Sequence, residues 1–210
     1  ANGFGSPVPV DVVGITTATR VDAGEFFSCA LLAGGTVKCW GDNEVGQLGN
    51  GTNTDSPVPV DVTGVSGATA LATGMQHACA ILGDGSVTCW GRNNEGQLGN
   101  ATMTDSNVAV PTVAVTGATA ISAGTHTCAV VAPGGSVKCW GSNWLGELGS
   151  GATGPSSTPL DVPGLTGATS ISARPYHHTC ALIAGGSVKC LGSNSVGELG
   201  DGTTATAWTP

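Results

Sequence analysis

Apolar residues in this chain come in short runs separated by Gly, Asn, Asp, Ser and Pro rather than by long polar stretches. Residues 68–90 show the pattern: Ala68–Ala72 is one run, His77–Leu82 the next, Gly83-Asp84-Gly85 a break and Ser86–Trp90 a third run. Short runs bounded by turn formers predict β-strands. No stretch of useful length carries the 3.6-residue period of a helix. A Gly/Asn-rich connection then leads to a Pro-Val segment, which reads as an edge strand because proline cannot donate to an interior ladder. The pattern predicts four short antiparallel strands per unit and an all-β fold.

The unit recurs. Cys39-Trp40-Gly41, Cys89-Trp90-Gly91, Cys139-Trp140-Gly141 and Cys190-Leu191-Gly192 lie 50, 50 and 51 residues apart. Each is followed by a second signature: Gly46-Gln47-Leu48-Gly49, Gly96-Gln97-Leu98-Gly99, Gly146-Glu147-Leu148-Gly149 and Gly197-Glu198-Leu199-Gly200. Gly-Ala-Thr recurs at 67–69, 117–119 and 167–169, and Pro-x-Pro-Val-Asp-Val at 7–12 and 57–62, with looser echoes at Val110-Pro111 and Pro159–Val162. The chain divides into repeats 1–50, 51–100, 101–150 and 151–201 within a single repeat domain, 202–210 starting the next connection. Tandem four-stranded units are propeller blades.

Composition narrows the partners. Charged residues are only 10%, Gly is 35 of 210, and the net charge of −8 leaves six scattered bases: Arg20, Lys38, Arg92, Lys138, Arg174 and Lys189. Binding to nucleic acid or an anionic membrane surface needs clustered bases, so neither is an expected partner. No apolar run is long enough to span a bilayer, so no membrane insertion is expected. The first residue is Ala rather than Met, which suggests a processed or excised chain.

The eight cysteines fall as Cys29/Cys39, Cys79/Cys89, Cys128/Cys139 and Cys180/Cys190. Folding a hairpin about Asp84 sets 79 against 89, 80 against 88 and 82 against 86, a geometry that suits a cross-strand disulfide. The third pair is one residue further apart, with Pro133 as the extra turn residue. Reduced core thiols are an alternative, as is a metal site, although C-x-x-C spacing is missing. Disulfides would place the protein at the cell surface, outside the cell or in a periplasm.

The composite string His-x-Cys-Ala, Gly-(Gly/Asp)-Gly, Val-x-Cys-Trp-Gly-x-Asn-x-x-Gly-(Gln/Glu)-Leu-Gly resembles the repeat of the regulator-of-chromosome-condensation family, in a secreted variant. The resemblance covers essentially the whole chain. It implies a β-propeller, most often seven-bladed, with the sequence unit offset from the structural blade. It assigns a scaffold role to Trp40, Trp90 and Trp140, to Gly46, Gly49, Gly96, Gly99, Gly146, Gly149, Gly197 and Gly200, and to His77, His126 and His178. The founding member's nucleotide-exchange activity uses an inserted hairpin, and its chromatin contact a basic tail. This chain has neither.

Catalytic groups form one asymmetric constellation, whereas nearly every polar residue here is repeated, so no enzyme, metal or cofactor is expected. Residues that break the repeat are the better recognition candidates: Phe26, Phe27, Met75, Gln76, Met103, Trp144, Tyr176, His177 and Trp208. Asn50-Gly51-Thr52 and Asn100-Ala101-Thr102 are glycosylation sequons at equivalent positions. The expected function is an extracellular scaffold for protein recognition through blade-connecting loops, with a glycan as a further ligand class. The alternative is a structural subunit joined to copies of itself by strand complementation. That alternative comes from the ends: Pro7–Val12 reads as an outer strand without its hairpin, and the hairpin at 180–190 lacks its outer strand. A longer propeller, a small closed ring and an assembly of chains would each complete them.

Overall fold

A computed structural model describes residues 8–175 and 177–210, and among them there are strands but no helix. The first blade is β1 Ala18–Ala23, β2 Phe27–Leu32, β3 Val37–Gly41 and β4 Ser56–Asp61. The second is β5 Ala68–Thr73, β6 His77–Leu82, β7 Val87–Gly91 and β8 Ser106–Pro111. The third is β9 Ala118–Ala123, β10 His126–Val131, β11 Ser136–Gly141 and β12 Ser156–Asp161. The fourth holds β13 Ala168–Ala173, β14 His178–Ile183 and β15 Val188–Gly192. Each sheet is an antiparallel meander in chain order.

The first strands of successive blades touch, β1 with β5, β5 with β9 and β9 with β13, so they line the axis and the fourth strands lie outermost. A blade therefore runs from residue 18 to 61 and takes its outer strand from the following sequence repeat, the offset that the resemblance implies. The proline-bearing segments 56–61, 106–111 and 156–161 occupy that outer place, where a missing N–H costs no interior ladder bond.

The hairpin register matches the cysteine argument. Cys79 faces Cys89, and Ala80 faces Thr88. Cys128 still faces Cys139, because the extra residue sits in the turn beyond the ladder. All four pairs are disulfide-bonded, each with its Cα atoms 4.1 Å apart.

The core lies between blades. Leu31, Val37 and Leu48 of the first blade pack with Leu71, Ala80 and Trp90 of the second. Equivalent layers join the second to the third and the third to the fourth. Each blade thus has an apolar face that only a neighbour can cover, as in repeat architectures generally.

The expectation of a strand at 7–12 is corrected for its described part: residues 8–12 form none, and Val10 is 71% exposed. An outer strand is held by the ladder of its own hairpin, and among the described residues none pairs with this segment. In the fourth blade Ala207 bridges Gly192 as Ser56 pairs with Gly41, but the outer strand extends no further among the described residues.

Candidate functional site

Phe27 pairs with Gly41, and Gly41 with Ser56. The turn between β1 and β2 and the long loop between β3 and β4 therefore emerge at the same end of the blade. The same register holds in the second and third blades. This end is the candidate interaction face. Short turns bring Phe26, Met75, Gln76 and His177 to it, long loops bring Met103 and Trp144, and Trp208 follows the Gly192–Ala207 bridge. Phe26 is 70% exposed, Trp144 59%, Trp208 51% and Met103 46%. One expectation fails: Phe27 is 3% exposed and belongs to the core between the first two blades, because it is a β2 residue at the position His77 takes in β6. Tyr176 lies outside the described residues.

The exposed side chains are anchored. Trp144 Nε1 donates to Glu95 Oε1 of the preceding blade at 2.6 Å, and Arg92 Nη1 donates to Gln76 Oε1 at 2.6 Å. His177 has φ 62°, a left-handed turn that carries its ring back to Glu147, with Nδ1 2.9 Å from Oε1. Burial works to raise the Glu147 carboxyl. Its backbone contacts, His177 and the Ser142 hydroxyl outweigh that and hold it below the ordinary carboxylate value.

The loops themselves are tied by residues not singled out from the sequence. Asn93 is fully buried; its Nδ2 donates to the carbonyls of Thr102 and Thr104, both at 3.0 Å, and its Oδ1 accepts from Leu98 N at 2.9 Å. Asn43 and Asn194 make the same bonds in their own blades. The signal was present as the recurring Gly-x-Asn, but an Asn within a Gly/Asn-rich stretch reads as an ordinary turn residue. The sequon residues Asn50 and Asn100 accept from the same hub amides and from Thr52 N and Thr102 N, so both close a turn.

Beneath the face His77 and His126, two of the three histidines in one repeat phase, bridge blades. Thr127 Oγ1 gives its proton to Gln97 O (3.0 Å), so it accepts from His77 Nε2–H (2.8 Å). His126 bonds Thr179 Oγ1 (2.6 Å) in the same way, and Thr179 donates to Glu147 O (3.0 Å). Burial, with a smaller push from His126, lowers His77 to about 3. Burial lowers His126 to about 4 against the pull of Glu147. Both are neutral hydrogen-bonding struts at physiological pH.

Glu25, Glu44, Glu95, Glu198 and Asp201 stand at this end against Arg92 and Arg174, so the face is acidic. A cavity of about 220 Å³ opens among Glu25, Met75, Arg174 and their neighbours near the axis. Among the described residues no group of three or more His, Cys, Asp or Glu is placed to hold a metal ion. What the arrangement offers chemically is a firmly tied, acidic and aromatic contact surface.

Two family models, both described as the regulator of chromosome condensation (RCC1) repeat, match the chain: one at 18–47 and 68–97, the other at 34–81 and 84–131. No curated protein sequence matches it. Among solved structures, Prp20p from Saccharomyces cerevisiae is 19% identical, with a TM-score of 0.83 over 96% of this chain and 52% of that one. Yeast RCC1 (Prp20) bound to Kap60 is 18% identical, with a TM-score of 0.82 over 95% of this chain and 49% of that one. Human WBSCR16 is 26% identical, with a TM-score of 0.81 over 92% and 52%. The chain thus spans about half the length of these structures.

Proposed function

The chain belongs to the regulator of chromosome condensation (RCC1) repeat family, and from that premise we propose that it is a non-enzymatic, extracellular propeller scaffold that recognises a protein through its loop face. Propellers of this family are commonly protein-interaction scaffolds. The yeast structures are described as a complex with Kap60 and by binding to Gsp1p and histones. The observation that carries the proposal is that Phe26, Met103, Trp144 and Trp208 break the repeat, stay exposed and share one face. Exposed aromatic and Met side chains on a rigid frame are typical contact anchors, and the acidic rim favours a partner with a basic patch. Four disulfides favour an oxidising compartment.

The test is retention of secreted proteins from the source organism on the immobilised chain. The double variant Phe26→Ala/Trp144→Ala should cut retention of the specific partner by about tenfold or more. Ala33→Arg, in the turns at the opposite end, should leave it unchanged. Equal retention by all three proteins overturns the proposal. Retention that vanishes when the partner is deglycosylated moves the reading to a glycan.

A further inference from the structure

The turn between the first and second strands differs in length from blade to blade. Gly74-Met75-Gln76 joins β5 to β6, whereas Gly124-Thr125 alone joins β9 to β10. The residue before the second strand is Phe26, Gln76 or His177 in the other blades, and the short Thr125 in the third. Between the third and fourth blades His177 fills this place with its ring on Glu147. Between the second and third, the shorter turn and smaller side chain leave a cleft of about 190 Å³, far more than one water needs. Both of these blades have a neighbour on either side within this chain, so the cleft is independent of what adjoins the first or the fourth.

The walls of the cleft carry polar groups with bonds still to make. Thr125 Oγ1, from the third blade, is buried without a partner. Glu95, from the second, uses only Oε1 on the Trp144 indole and forms no ion pair among the described residues. His77 gives its Nε2–H to Thr127, so its Nδ1 carries the lone pair and can only accept. Gln97 is already committed: its Oε1 accepts from Glu95 N at 2.9 Å and its Nε2 donates to Asn94 Oδ1 at 3.3 Å. Arg92 is the one cation of the wall, and its bonds to Gln76 Oε1 and to Asn94 Oδ1 (2.8 Å) tie it to its own blade.

These groups select the charge of an occupant. An anion would meet the Glu95 carboxylate and the lone pair of His77, on a face where carboxylates outnumber arginines. A cation is concentrated by that face and finds acceptors for its donors. It also comes within reach of Trp144, which Glu95 holds beside the cleft and which is 59% exposed. Single acceptors on two different blades suit the radial donors of an ammonium better than the planar fork of a guanidinium. Met75 lines the same cleft and gives an alkyl stem an apolar wall, so that the stem is covered while the charged head is paired.

Resting on the protein-recognition reading, we propose that this cleft seats a lysine side chain of the bound protein, its ammonium between Glu95 Oε2 and Thr125 Oγ1 and its stem along Met75. The site gives the acidic face a specific anchor point beside the exposed aromatic residues.

The test is a titration of the oxidised 210-residue chain with Nα-acetyl-lysine methylamide, followed in nitrogen–proton correlation spectra. The expected result is a saturable shift of the Trp144 indole N–H and of the Gly124 and Thr125 amides, with none from Nα-acetyl-glutamate methylamide. Glu95→Gln keeps an acceptor for Trp144 but removes the charge, and should raise the Kd about fivefold. Arg92→Gln should lower it. Thr125→Gln, which places in the third blade the side chain that the second carries there, should abolish the shift and leave the rest of the spectrum in place. No saturable shift, a shift produced by the glutamate analogue instead, or a Kd indifferent to both Glu95→Gln and Thr125→Gln overturns the inference. With the partner itself, retention cut by Phe26→Ala/Trp144→Ala but kept in full by Thr125→Gln overturns this anchor alone, whereas equal retention by every variant overturns the reading beneath it.

Discussion

A histidine sealed between two blades has to stay neutral, and that sets a pH limit on the fold. His77 and His126 are held near 3 and 4 by burial, while in an unfolded chain they titrate near 6.5. Between those values the unfolded state binds more protons than the folded one, so stability is full above about pH 6.5 and declines as the pH falls through the window. At pH 5 each histidine should cost about 2 kcal/mol. Glu147, whose carboxyl is held low, adds a loss of the same sign at still lower pH. Denaturant midpoints measured from pH 7.5 to 4.5 should show this decline, and His77→Gln should flatten it; parallel curves for the two proteins would count against the strut role. The hub asparagine makes a second residue-level case. Asn93→Ala strands the amide of the buried Leu98 and frees the carbonyls of Thr102 and Thr104, which belong to an exposed loop. An expected loss of about 1–3 kcal/mol follows from the cost of one unsatisfied buried group. Urea unfolding checks it, and a loss within error of zero would show that water replaces the side chain.

At the scale of the strand pair, the hairpins were the most legible part of the chain. A cross-strand disulfide needs two facing positions, so the spacings of ten and eleven fixed the register of β6 with β7 and of β10 with β11, and the structure has that register. The proline-bearing outer strands were legible because a residue without an N–H has few places in a sheet. The repeat positions of the loop-face anchors could be read, but not their common end, which depends on the pairing of Gly41 with Ser56 across a loop of no regular pattern. Phe27 was misread because a departure from the repeat marks a core substitution as readily as a contact. Removing one bridge by Cys79→Ala with Cys89→Ala should lower stability by about 2–3 kcal/mol, the value for a short closed loop. Thermal unfolding of the oxidised variant measures it, and an unchanged midpoint would show that ladder and core alone hold the hairpin.

For the whole molecule, stability should follow position in the array rather than strand propensity. Blades of this kind hold themselves up through their neighbours, so an end blade with a bare face is the weak unit. The second blade is covered on both sides, with Ile81 at 2% and Val87 at 1% exposure. The fourth has the same residue types at Leu182 and Val188, at 41% and 61%, and its β15 meets an outer strand only at the Gly192–Ala207 bridge. In the 210-residue chain, amides of β14 and β15 should therefore exchange at least about tenfold faster than those of β6 and β7. Uniform exchange across all blades of this chain would contradict the nearest-neighbour account.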